Sequence, residues 1–91
     1  MKLELKKFGE ILTSRPAGRE SWLAIRPYVL DGKKRGEKIE VDFSGVQVLA
    51  PSWADEFISA LIKEYSGEVV LLPSDNASVK ASLEFVDKKT M

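Results

Sequence analysis

The chain has 91 residues with 14 basic and 14 acidic side chains, a formal net charge of zero, and neither histidine nor cysteine. That length suits one domain with a modest core, and zero net charge offers no bulk attraction to nucleic acid or to an anionic membrane. The missing residue types remove disulfides, thiolate nucleophiles, the usual transition-metal ligands and the commonest general base near neutral pH.

Lys2, Leu3, Glu4, Leu5 and Lys6 alternate charge and leucine. A period of two predicts a strand with one wet face, and the absence of an apolar run there argues against a signal peptide. Phe8-Gly9 ends that strand, and Ile11-Leu12 is expected to add a short second strand in a hairpin. Ser14 is a candidate N-cap, with Pro16 in the first turn of the helix that follows, where a missing N–H costs little. Trp22, Ile25 and Val29 recur on one face of this first helix, flanked by Leu23 and Tyr28. Pro27 is expected to kink or divide it.

A basic loop comes next, with Lys33, Lys34, Arg35 and Lys38 read as a solvated run. Ile39, Val41 and Phe43 alternate with Glu40 and Asp42, so residues 38–43 form the clearest strand. Val46, Val48 and Leu49 make an apolar connector to a second helix opened by Pro51-Ser52. There Ser52 and Asp55 are spaced like a capping box, and Ala54, Phe57, Ile58, Leu61, Ile62 and Tyr65 recur at helical spacing. Val69 to Leu72 are consecutive apolar residues, as in a strand buried on both faces. Residues 77–87 read as a third helix with Val79, Leu83 and Val86 inward, and residues 88–91 as a frayed tail. The order β-α-β-α-β-α predicts a single α/β domain over residues 1–91. Its small sheet is mostly parallel, with right-handed crossovers and the amino-terminal strand or hairpin at its edge.

Chemistry-bearing residues gather at the carboxyl end of the central strand and the start of the second helix. Asp42, Ser44 and Gly45 sit where ligands of open α/β sheets bind. The bland reading is that Asp42 bonds the backbone N–H groups of its own turn. A receiver-like phosphoacceptor role would need an acidic pair at the end of the first strand, where Lys6-Lys7-Phe8 stands instead. Ser52 is read as the helix cap, and Trp53 as either a core plug or an exposed anchor. Arg15, unfavourable against its own helix dipole, invites an ion pair with Asp42 or Asp55. Catalysis would have to rest on Asp42, Asp55, Glu56, Ser52 and lysines, and the six glycines are scattered rather than gathered in a phosphate loop. The chain is therefore read as non-catalytic, with no cofactor and no metal.

The segment Val41-Asp42-Phe43-Ser44-Gly45-Val46-Gln47-Val48-Leu49-Ala50-Pro51-Ser52-Trp53-Ala54-Asp55-Glu56-Phe57 resembles the signature of the bacterial STAS-like domain family of unknown function. Leu12-Thr13-Ser14-Arg15 with Ala17 is similar to that family's start of the first helix, and Asn76 with Val79 to the start of its last. The resemblance implies the fold of anti-sigma factor antagonists, in which a serine opening the second helix is phosphorylated by an ATPase-type kinase that is also the binding partner. Aligning Asp42 and Val46 puts Pro51 at that serine and Ala50 where the antagonists carry an aspartate. Proline accepts no phosphate, which leaves Ser52, one residue later, as the candidate acceptor.

Together these readings give a cytoplasmic regulatory interaction module of bacterial signalling. It would dock a kinase-like ATPase or another signalling protein, and neither nucleic acid nor membrane. The expected surface comprises Asp42, Ser44, Gly45, Pro51, Ser52, Trp53, Asp55, Glu56, Ser59 and Arg15. The competing reading is a sensor of a nucleotide or other anion at the strand ends. A homodimer through the exposed first strand stays open, since zero net charge gives little repulsion between copies.

Overall fold

The computed structural model describes residues 1–90. In chain order its elements are β1 (Lys2–Glu4), β2 (Ile11–Leu12), α1 (Arg15–Gly32), β3 (Ile39–Asp42), β4 (Val48–Leu49), α2 (Pro51–Ala54), α3 (Ala60–Glu64), β5 (Val69–Leu71) and α4 (Ala77–Thr90). A 3-10 turn spans Leu5–Phe8, and a π-helical stretch, Asp55–Ser59, joins α2 to α3.

Alternation makes the sheet. Ile39 and Val41 of β3 are fully buried while Glu40 faces water, and Leu3 is buried between exposed Lys2 and Glu4. A three-stranded sheet in the order β1-β3-β5 results, parallel throughout. One apolar core gathers Leu3, Val41, Trp22 and Val29 of α1, Phe57, Ile58 and Leu61 of the second helical body (α2, the π-helical stretch and α3, residues 51–64), and Val79 and Val86 of α4.

The amino-terminal segment departs from expectation. The strand stops at Glu4, and Leu5 enters the core from the 3-10 turn. Gly9 then adopts φ +132, a conformation open to glycine, and redirects the chain. As a result Ile11-Leu12 does not form the expected hairpin with β1. It pairs in parallel with β4, Ile11 opposite Val48 and Leu12 opposite Leu49.

Pro27 does not divide α1, which is one helix from Arg15 to Gly32. Leu23, whose carbonyl loses its N–H partner at Pro27, and Pro27 itself both lie on the exposed face; water can serve that carbonyl there. Nor is β5 buried on both faces: it is an edge strand, with Val70 39% exposed. The basic loop is only partly solvated. Lys33 Nζ lies 2.9 Å from Glu68 and 5.5 Å from the Tyr65 ring centroid, and Lys38 Nζ donates to Gly67 O at 2.8 Å. These contacts tie the loop to the start of β5, while Lys34 and Arg35 stay exposed.

Asn76 caps α4, its Oδ1 accepting from Val79 N–H at 3.1 Å. The helix continues past Asp87 to Thr90, through most of the expected tail; the remainder of that tail, Met91, lies outside the described residues. Among the described residues no helix is long and apolar enough to cross a membrane.

Candidate functional site

At the carboxyl end of β3 the chain turns through Ser44-Gly45. Asp42 Oδ1 accepts the Ser44 N–H at 2.9 Å, and its Oδ2 lies 3.4 Å from Lys2 Nζ. Bonding to Ser44, first through the backbone N–H, and the nearby Lys2 ammonium hold the Asp42 carboxyl below its usual value. Asp42 is thus half-buried and shapes the turn, while Ser44 and Gly45 are exposed. Gly45 has φ +84, and a Cβ there would fall 2.6 Å from Lys6 Cδ.

Residues 46–50 run along a backbone that is bonded at nearly every step. Val46 N–H donates to Phe43 O at 3.1 Å, Gln47 and Val48 N–H to Glu10 O at 2.8 and 3.1 Å, and Ala50 N–H to Leu12 O at 2.8 Å. From the other side, Asn76 Nδ2 donates to Gln47 O at 2.8 Å. Ser78 Oγ accepts Leu49 N–H at 3.1 Å, and the buried Ser82 hydroxyl donates to Leu49 O at 2.6 Å. The serines of α4 therefore satisfy the edge of β4 that would otherwise go unpaired. Val46 and Leu49 point inward. Val48, 40% exposed, stands beside Ile11, 64% exposed, in the β2–β4 ladder. Sequence reasoning missed this outward aliphatic pair, because it needs the non-local pairing of β2 with β4 to exist.

The start of the second helix is turned the other way. Ala50, with extended φ and ψ, is the N-cap, and Pro51 is exposed in the first turn. Ser52 is not the cap. It lies inside the first turn of the helix, and its hydroxyl donates to Thr13 O at 2.8 Å, so no capping box forms. Trp53 is not an exposed anchor either: it is 1% exposed, stacked on Phe57 at 4.8 Å between ring centroids and 17° between planes. Gly18 of α1 presses against it so closely that a Cβ would meet Trp53 O at 2.7 Å.

Asp55 and Ser59 also leave the expected outward surface. Both lie in the π-helical stretch Asp55–Ser59. Here Asp55 is buried against α1, with Oδ2 2.7 Å from Arg15 Nη1 and Oδ1 accepting from Ser59 Oγ at 3.2 Å. Glu56 Oε1 also reaches Arg15, at 3.0 Å. Hydrogen bonding to Asp55 first, then to Glu56, raises the Arg15 guanidinium above its ordinary value. Of the two carboxylates expected for Arg15, Asp55 takes it, since Asp42 is held by Ser44 and Lys2.

Apart from Asp42, held in its turn, and Trp53, buried in the core, the expected site residues separate into two sets. Ser44, Gly45 and Pro51 face outward, together with Val48 and Ile11. Arg15, Asp55, Glu56 and Ser59 form a polar lock between α1 and the second helical body, joined by the Ser52–Thr13 tie. Among the described residues no three His, Cys, Asp or Glu side chains are grouped to hold a metal ion.

A family model described as the STAS-like domain of unknown function (DUF4325) matches residues 24–72. No curated protein and no solved structure matches the chain. The match contains the whole segment from Val41 to Phe57, whereas the weaker resemblances around Ser14 and Asn76 lie outside it. It covers more than half of the chain, and the observed layering of helices on a parallel sheet agrees with it. The chain belongs to the family of STAS-like domains of unknown function.

Proposed function

We propose that this chain is a non-catalytic, cytoplasmic regulatory module of bacterial signalling that docks a protein partner through the outward side of residues 44–51. The partner class is a kinase-like ATPase or another signalling protein. The observation that carries this reading is the aliphatic pair Ile11 and Val48, exposed side by side in a ladder whose β4 backbone is bonded to β2 on one flank and to the α4 serines on the other. A small apolar anchor inside a polar rim is a common recognition element. A surface already ordered loses little conformational freedom on binding. Ser44 and Gln47 supply polar side chains on this stretch, and both are exposed, as are Gly45 and Pro51. The lack of histidine and cysteine supports a binding role over a catalytic one. Phosphorylation of Ser52 would remove the proton that bonds Thr13 O, so modification would act on this surface by loosening the junction between β2 and α1.

The test is partner capture from a native bacterial extract with the wild-type chain and with an Ile11→Ser/Val48→Ser variant, each first shown to melt at the same temperature. Proteins held by the wild type and lost by the folded variant support the proposal. Identical capture by both, or capture by neither, overturns it and favours the anion-sensor reading, for which thermal stabilisation by nucleotides is the next measurement.

A further inference from the structure

The outer strands of the three-stranded sheet, β1 and β5, are defended unequally. β1 carries exposed Lys2 and Glu4 and is followed by exposed Lys6 and Lys7. Edge charges, lysine above all, discourage pairing with another chain. β5 reads Val69-Val70-Leu71, with neither a charge nor a proline in the strand.

The hydrogen-bonding groups of the β5 outer edge follow from its pairing. Ile39 N–H donates to Glu68 O at 2.7 Å, and Leu72 N–H to Val41 O at 3.0 Å. In a parallel ladder alternate residues bond the same neighbour, so Glu68, Val70 and Leu72 turn their backbone groups toward β3. Val69 and Leu71 turn theirs outward, away from any strand. Beside this edge, Leu71 and Leu72 form an open groove with Val79 and Leu83 of α4, rimmed by Lys80 and Glu84.

We propose that β5 is the pairing edge for a second copy of this chain, added antiparallel about a two-fold axis at Val70 so that two sheets become one. This register sets Val69 opposite Leu71 of the second copy, and Leu71 opposite its Val69. Both members of each pair turn backbone groups outward, so every exposed N–H and C=O of the edge finds a partner. Val70 then meets Val70 of the second copy on the open face, covering the most exposed apolar residue of the strand.

Charge favours a copy over a foreign strand. Along the groove rim lysine comes first and glutamate one helical turn later. An isologous antiparallel contact brings Lys80 of each copy toward the acidic part of the other rim. Zero net charge adds no long-range repulsion between copies. The surface is separate from the one that residues 44–51 present.

Sedimentation equilibrium over a concentration series tests this. The wild-type chain is expected to dimerise at micromolar to millimolar concentration, more weakly as salt rises. Val70→Lys should be monomeric at an unchanged melting temperature, because the side chain already reaches water. Lys80→Glu should weaken the dimer by about tenfold, and Lys80→Glu/Glu84→Lys should restore it. A wild type that stays monomeric throughout overturns the proposal, as does a dimer indifferent to Val70→Lys, or a double reversal that restores nothing. A dimer that survives Val70→Lys but is lost in Glu4→Pro, which blocks the β1 edge, also overturns it.

Discussion

Residues 44–49 and residues 50–59 adjoin in the chain but play opposite roles. In the first stretch the backbone is the anchored part and most side chains look outward. In the second, Trp53, Asp55, Phe57 and Ile58 are buried and hold the core. The contrast teaches that a segment carrying a family signature need not be a surface along its whole length. Here the outward face ends at Pro51, and the side chains of Trp53, Asp55, Phe57 and Ile58 are buried behind it.

Substitutions test this contrast. The largest effect is expected for Trp53→Ala, which empties a buried, ring-stacked position and should cost about 3–5 kcal/mol of stability in urea denaturation. An unchanged urea midpoint would mean that the helix start is a surface after all. Gly18→Ala comes next, at about 1–3 kcal/mol, since its Cβ would collide with the Trp53 carbonyl, which is backbone and cannot rotate away. Ser82→Ala removes the hydroxyl that bonds Leu49 O inside the core. It should cost about 1–2 kcal/mol and should speed hydrogen exchange of the residue 46–50 amides; unchanged exchange would show that α4 does not stiffen the loop.

Asp42 probes the turn between β3 and the loop. Its pKa is lowered in the folded state, so its contribution is present above the unfolded value of about 3.9 and is lost as pH falls through the folded value. Wild type should therefore melt above Asp42→Asn at neutral pH, with the gap closing under acid conditions. A gap independent of pH would assign the difference to packing. The smallest effect on stability is expected for Ile11→Ser/Val48→Ser, within about 0.5 kcal/mol per site, even though this pair is expected to matter most for partner capture. A large loss in melting would place the pair in the core's service instead.

Much of this arrangement is legible in the residues themselves. The alternation of Ile39, Glu40, Val41 and Asp42 predicts a strand with one buried face, and the spacing of Phe57, Ile58 and Leu61 predicts the inward side of the second helix. Asp42 next to Ser44-Gly45 reads as a turn residue and is one. Ser52 misleads because serine is a favoured cap, and Pro51 is tolerated either just before a cap at Ser52 or in the first turn after a cap at Ala50, so local preference does not choose. The choice falls to Ala50 because its N–H is tied to Leu12 O and its carbonyl accepts Ala54 N–H. Trp53 is ambiguous for a similar reason: whether a first-turn aromatic meets water or core depends on what packs over it, and that is Gly18, distant in the chain.

The alternation of strand and helix, the parallel sheet, the absence of histidine and cysteine chemistry, and the segment from Val41 to Phe57 that marks the family are all readable along the chain. Periodicity and residue type are local properties, and these features follow from them. Tertiary structure alone decided that Arg15 meets Asp55 rather than Asp42. It also decided that Ile11 lies beside Val48 instead of in a hairpin, that Asp55 turns toward α1 with Ser59 bonded to it, and that β5 ends as a bare edge. Each of these is a choice between neighbours far apart in the chain. Such choices are made by close packing and by the need to satisfy buried backbone groups, which no pattern within a single element encodes.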